Sequence, residues 1–187
     1  MLPSLYYELS QKRVAARWRG YKQPEDFGYD FREWVSPYTK GAHSLGGIAV
    51  VLQDWSSEEA LSLGVIPAIQ IHGRNPDLKT NKLLDRLLQE VLSLSIKDTY
   101  ATNIFPFIKA GGISSPIPKG DVIRAAQEFA ALELKLAGPT KILALGRMPT
   151  IALREIGINC IGLPHPAARI SFSAQKEMWR QALSSND

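Results

Sequence analysis

Apolar residues fall along the chain in two rhythms, short continuous runs and longer stretches with three-and-four spacing. The run GIAVVLQDWSS is apolar from Ile48 to Leu52 and turns polar at Gln53 and Asp54. Flanked by Gly46-Gly47 and by two serines, it reads as a strand over 47–53 buried on both faces. TYATNIFPF predicts a second strand ending at Asn103 or shortly after, KILALG a third and NCIGLPHP a fourth. Leu83, Leu84, Leu87, Leu88, Val91 and Leu92 repeat at helical spacing and predict a helix over 79–95. Helices are also predicted over 4–18, near 30–35, over 58–63, near 148–156 with Pro149 in the first turn, and over 173–183. Another runs from an Asp121 cap to Leu136, closed by Gly138-Pro139. GVIPAIQIHG, interrupted by Pro67, reads as loop or edge strand.

Strands alternating with helices imply an α/β domain, a three-layer sandwich with a central, mainly parallel four-stranded sheet flanked by helices. It is expected over 47–187, with residues 1–46 a helical and irregular extension packed on it. In a parallel sheet the four strand ends share one edge, which is where open sheets bind ligands. That edge presents Gln53-Asp54, Asn103, Gly146-Arg147 and His165-Pro166. Singly, these read as a helix cap, an Asx turn, a loop glycine and a half-buried histidine. Together they suit binding of a small polar planar ligand and polar chemistry on it.

Composition narrows the class. The chain has 187 residues, 45% hydrophobic and 21% charged, which suits one globular domain. No apolar segment reaches the length of a membrane span, and the first charges follow apolar residues, unlike a signal peptide. The net charge is +4, with Lys12, Arg13, Arg17, Arg19 and Lys22 crowded near the amino terminus. They read equally as solvated surface or as a polyanion footprint. The single cysteine, Cys160, excludes an internal disulfide and a four-cysteine cluster, reads as a core residue, and fits a reducing cytoplasm. His43, His72 and His165 lack the spacing of a shared metal site. GAHSLGG lacks the Gly-Lys-Ser/Thr of a P-loop, no Gly-x-Ser-x-Gly elbow is present, and no Gly-x-Gly-x-x-Gly follows a strand.

Taken in order, these segments resemble the uracil-DNA glycosylase superfamily. VVLQDW resembles its first motif, a strand ending in Gln-Asp whose Asp serves the hydrolytic water. HGRNPDLKTNKLLDRLL is similar to its glycine-rich loop leading into a Leu-Leu-Asp helix, and YATN to the strand whose asparagine reads the base. LALGR resembles the strand and glycine loop that touch phosphate, and LPHPAAR the His-Pro-Ser motif followed by a DNA-inserting residue. The resemblance runs from Gly46 to Leu183. Departures are specific. Ser56 stands where a tyrosine would exclude thymine's methyl, a job left to Trp55 if it is done at all. Ala167 replaces the motif serine, Pro76 stands where cluster-bearing branches stack a Phe on the base, and their four cysteines are missing.

The resemblance thus implies a member without an iron–sulfur cluster or any other cofactor. It would be a monofunctional, monomeric DNA glycosylase of base excision repair, acting in the cytoplasm on nucleoid DNA. The substrate implied is a deaminated base, uracil first, flipped out of DNA. Asp54 and His165 would be catalytic, Gln53, Trp55, Pro76 and Asn103 would hold the base, and Arg147, Arg169, Lys109 and Ser115 would contact DNA. The alternative is a noncatalytic α/β domain that binds a nucleotide or nucleic acid in the same cleft.

Overall fold

The four apolar runs pair as one sheet in the computed structural model, whose described residues are 3–185. β1 (Ile48–Asp54), β2 (Tyr100–Phe105), β3 (Lys141–Leu145) and β4 (Ile161–Leu163) lie in the order β2-β1-β3-β4, every pairing parallel. Alternation along β1 sends Ala49 and Val51 to one face and Val50 and Leu52 to the other, all buried, as a strand covered on both sides requires.

Helices complete the three layers. On one face lie α1 (Ser4–Ala15), α6 (Lys119–Ala125), α7 (Ala131–Ala137) and α8 (Arg147–Glu155), contributing Leu9, Val122, Leu134 and Leu153 to the core. On the other lie α2 (Pro37–Gly41), α5 (Lys79–Leu87) and α9 (Phe172–Ser184), contributing Tyr38, Leu84 and Trp179. Two short helices, α3 (Glu58–Leu61) and α4 (Pro67–His72), give Leu61 and Ile69 to a smaller cluster with Tyr29, Phe31 and Ile108. No helix among the described residues is long and apolar enough to cross a membrane.

Several local expectations change. In GVIPAIQIHG residues 64–66 are loop, and Pro67–His72 form α4, with Pro67 in the first turn, where a missing N–H breaks no helical bond. Residues 30–35 form no helix; Ser36 instead caps α2 by accepting the Tyr38 N–H. Asp121 sits inside the first turn of α6 rather than at its cap, which is Pro118, and accepts a 2.6 Å hydrogen bond from the Tyr21 hydroxyl. The fourth strand is shorter than its apolar run, and Cys160 is only half-buried beside it.

Arg13 corrects the reading of the amino-terminal cations as surface charge. Its side chain is 0% exposed. The guanidinium donates to both Glu25 oxygens, at 2.7 and 3.1 Å, and to the carbonyls of Phe31 and Trp34. This planar fork ties α1 to the loop 23–34.

A second buried ionisable group, on α7, lies on the same sheet face. The Glu133 carboxyl accepts hydrogen bonds from Tyr100 (2.8 Å), Thr102 (2.8 Å) and Thr39 (3.2 Å). Burial raises its pKa from 4.5 to about 7, against the lowering effect of these hydroxyls. The folded state therefore holds this proton over a range where the unfolded chain has released it. The stabilising contribution is complete below pH 4.5 and is lost as pH rises towards about 7. The loss is steepest between the two values, at about 1.4 kcal/mol for each tenfold fall in proton concentration. Glu133→Gln should flatten the fall in melting temperature between these pH values; an unchanged slope, followed by circular dichroism, would count against the assignment.

Candidate active site

The chain leaves β1 to one side for β2 and returns on its other side for β3, so the carboxyl ends of β1 and β3 form a topological switch point. A cleft of about 420 Å³ opens there. Gln53, Asp54 and Trp55 enter it from the end of β1, Gly146 and Arg147 from the end of β3, and His165 from beyond β4. Leu52, Tyr38 and Asn81 also line it, and Leu78 and the loop Ile113–Pro116 complete its wall. A hollow of about 510 Å³ near Tyr7, Arg32 and Gln70 is roomier, but no strand end reaches it.

Both oxygens of Asp54 are engaged. Oδ1 accepts from Gln53 Nε2 at 2.9 Å, and Oδ2 lies 3.1 Å from Lys109 Nζ, with the Lys109 and Asp54 side chains 5% and 12% exposed. Lys109 also donates to the Ile113 carbonyl at 2.5 Å. Lys109, expected to contact phosphate, thus lines the cleft with its ammonium paired to the Asp54 carboxylate.

His165 is held by its surroundings. Gln175 donates to the carbonyls of His165 and Pro166 at 2.9 and 3.1 Å, fixing the backbone. The Ala167 N–H donates to Nδ1 at 3.2 Å, so the neutral ring carries its proton on Nε2. Burial pushes the pKa below the ordinary 6.5, and the negative charge of Asp54 opposes that shift. Beside it, Gly146 has φ +104°, a conformation side chains resist, and a Cβ there would stand 3.5 Å from His165 Cβ.

Trp55 presents a fixed indole. Its Nε1 donates to the Gly73 carbonyl at 2.9 Å, and Tyr29 and Phe31 meet it edge-on at 5.4 and 5.5 Å between ring centroids. Arg147 is exposed on the cleft wall and has no ion pair among the described residues. Ser115 reaches the wall with its hydroxyl already accepting the Gly112 N–H at 3.0 Å.

Three expected site residues do not line the cleft. Pro76 is half-buried in a turn outside the cleft, and Leu78 reaches the wall instead. Arg169 is exposed in the turn after Pro166, away from the wall. Asn103 is 1% exposed and stands beside Leu52 in the parallel register, one layer behind the cleft. Its Oδ1 accepts from Ser36 Oγ at 2.7 Å, while Nδ2 has no partner.

The sequence reading missed Tyr38 and Asn81, whose side chains hydrogen-bond each other at the wall, with Asn81 Nδ2 donating to the Asn75 carbonyl at 2.6 Å. The signal was present: Asn81 lies on the stripe of α5 that carries Leu84 and Leu88, a polar residue where the pattern calls for an apolar one. Among the described residues, no group of three His, Cys, Asp or Glu could hold a metal ion.

Comparison of the chain with models of known protein families and with curated proteins gives no match, so the reading of this cleft rests on its own geometry. The histidine geometry is directly measurable. Long-range nitrogen–proton NMR should show the Nε2–H tautomer of His165 titrating below 6.5; a midpoint above that value, or the Nδ1–H form, would contradict it.

Proposed function

We propose that the chain is a DNA glycosylase that hydrolyses the N-glycosidic bond of a deaminated base, uracil first, flipped out of DNA. One observation carries the reading: a carboxylate, Asp54, and a neutral imidazole with a free Nε2 donor, His165, share one cleft at the sheet's switch point. Cleavage of this bond builds positive charge on the sugar and negative charge on the departing base. Asp54 under the sugar stabilises the cation and orients the attacking water. Its oxygens retain lone pairs for this after accepting from Gln53 and Lys109. His165 Nε2–H donates to a base carbonyl and stabilises the leaving anion, as an oxyanion donor does.

The supporting groups fit the same ligand. The Trp55 indole offers a flat face for a base. The unpartnered Nδ2 of Asn103, its Oδ1 held by Ser36, is a buried donor awaiting an acceptor such as a pyrimidine carbonyl. It comes into use if Leu52 or its neighbours yield to the ligand. Arg147 on the wall suits a phosphate contact. DNA is thus the proposed partner, and base excision repair the proposed setting.

A uracil-containing duplex incubated with the protein and then treated with alkali should break at the uracil. Asp54→Asn should slow this by orders of magnitude while leaving binding to an abasic duplex intact, and His165→Ala should cost about a hundred- to a thousandfold. If the whole series of deaminated bases stays attached while duplex is still bound, the noncatalytic reading takes its place.

Arg169, exposed past the cleft and four residues after His165, suits insertion into the gap that a flipped base leaves. Arg169→Ala should slow release most from paired duplex, less from a mismatch and least from single strands. Equal losses on all three substrates would exclude a wedge and indicate a phosphate contact.

A further inference from the structure

Among the described residues lining the cleft, Lys109 supplies the amine, and neither water activation nor base recognition uses it. Its backbone is pinned: the Lys109 carbonyl accepts the Glu58 N–H at 3.0 Å, and Lys109 bridges to Ser57 in parallel fashion. Its Nζ stands 3.1 Å from Asp54 Oδ2 with little exposure. A buried ion pair is weak evidence for a purely stabilising role, because desolvation offsets much of the attraction. An amine beside the carboxylate that faces the sugar is, however, within reach of the same anomeric carbon. Base release leaves that carbon as a hemiacetal in equilibrium with an open-chain aldehyde, and lysine amines condense with carbonyl substrates.

We propose that Lys109 is the nucleophile of a second activity, an imine-forming lyase step on the abasic sugar; this rests on reading the cleft as a glycosylase site. Asp54 takes a proton from the Lys109 ammonium, and the freed Nζ attacks C1′ of the aldehyde to give a carbinolamine. Asp54 returns its proton to the carbinolamine hydroxyl, which leaves as water, and a protonated imine forms. The Asp54 carboxylate then removes a C2′ proton, giving the enamine. The enamine electrons expel the 3′ oxygen, so the C3′–O bond breaks and the downstream strand leaves with a 5′-phosphate. Water hydrolyses the unsaturated imine, releasing the sugar aldehyde and regenerating Lys109, while the proton on Asp54 passes to solvent. No oxidant, reductant or metal enters the balance.

The experiment uses the full chain and a duplex with a preformed abasic site, so it does not depend on base release. Sodium borohydride reduces an imine to a stable amine, and the expected product is a covalent protein–DNA adduct. Tryptic mass spectrometry should place the reduced sugar on Lys109. Lys109→Arg keeps a cation beside Asp54 but cannot form the imine, so trapping should fall to background. Absence of an adduct with the wild-type chain, attachment at another amine, or undiminished trapping by Lys109→Arg would each overturn the proposal. Uracil release is scored separately on a uracil duplex without borohydride. Release with no adduct removes the imine and leaves the glycosylase reading; an adduct with no release keeps the amine chemistry and removes that reading.

Discussion

β1 pairs with β2 on one side and with β3 on the other, and because both pairings are parallel, their polar ends emerge at a single edge. The site depends on that constraint. Gln53, Asp54 and Trp55 are consecutive, yet they reach a common cleft with Gly146, Arg147 and His165 only because β3 returns beside β1 and β4 beside β3. A sheet of the same strands in an antiparallel order would send half of these residues to the opposite end of the molecule.

Charge is placed both at the carboxyl edge of this sheet and against one of its faces. In the cleft, Lys109 faces Asp54, and His165 remains neutral because burial outweighs the carboxylate's pull. Behind the sheet, Glu133 is surrounded by hydroxyls, and Arg13 by Glu25, Gln23 and backbone carbonyls. The internal charges differ in kind. Arg13 has both terminal nitrogens held by a fixed cage, whereas the cleft charges sit where a ligand can replace or join their partners.

The sheet was legible because continuous apolar runs bounded by Gly and Ser have few other solutions, and the four strand ends followed from it. Asp54, Trp55, Arg147 and His165 accordingly lie where the pattern put them. Lys109 and Arg13 were not legible, because a charged residue is buried only if a partner arrives from elsewhere in the chain, and no local pattern records that partner. Asn103 was placed on the right strand, but its depth depends on Ser36, which approaches from a segment without periodicity. Pro67 was misread because a proline that interrupts a strand and one that begins a helix look alike until the next turn is seen.

Residues ahead of β1 reach deep into this arrangement. Ser36 holds Asn103 across 67 positions, Tyr29 and Phe31 brace Trp55, and Thr39 meets Glu133 across 94. On a chain synthesised from its amino terminus, Ser36 and Thr39 are made early and find their partners late. Ser36 has no acceptor in Asn103 and Thr39 none in Ala101 until β2 exists, and Thr39 meets Glu133 only once α7 is made. Closing such wide loops is slow, since their entropy is lost before their contacts form. The cleft is therefore completed only after Lys109, Arg147 and His165 have been made, and a nascent chain that ends before β2 leaves Ser36 and one edge of β1 without their partners.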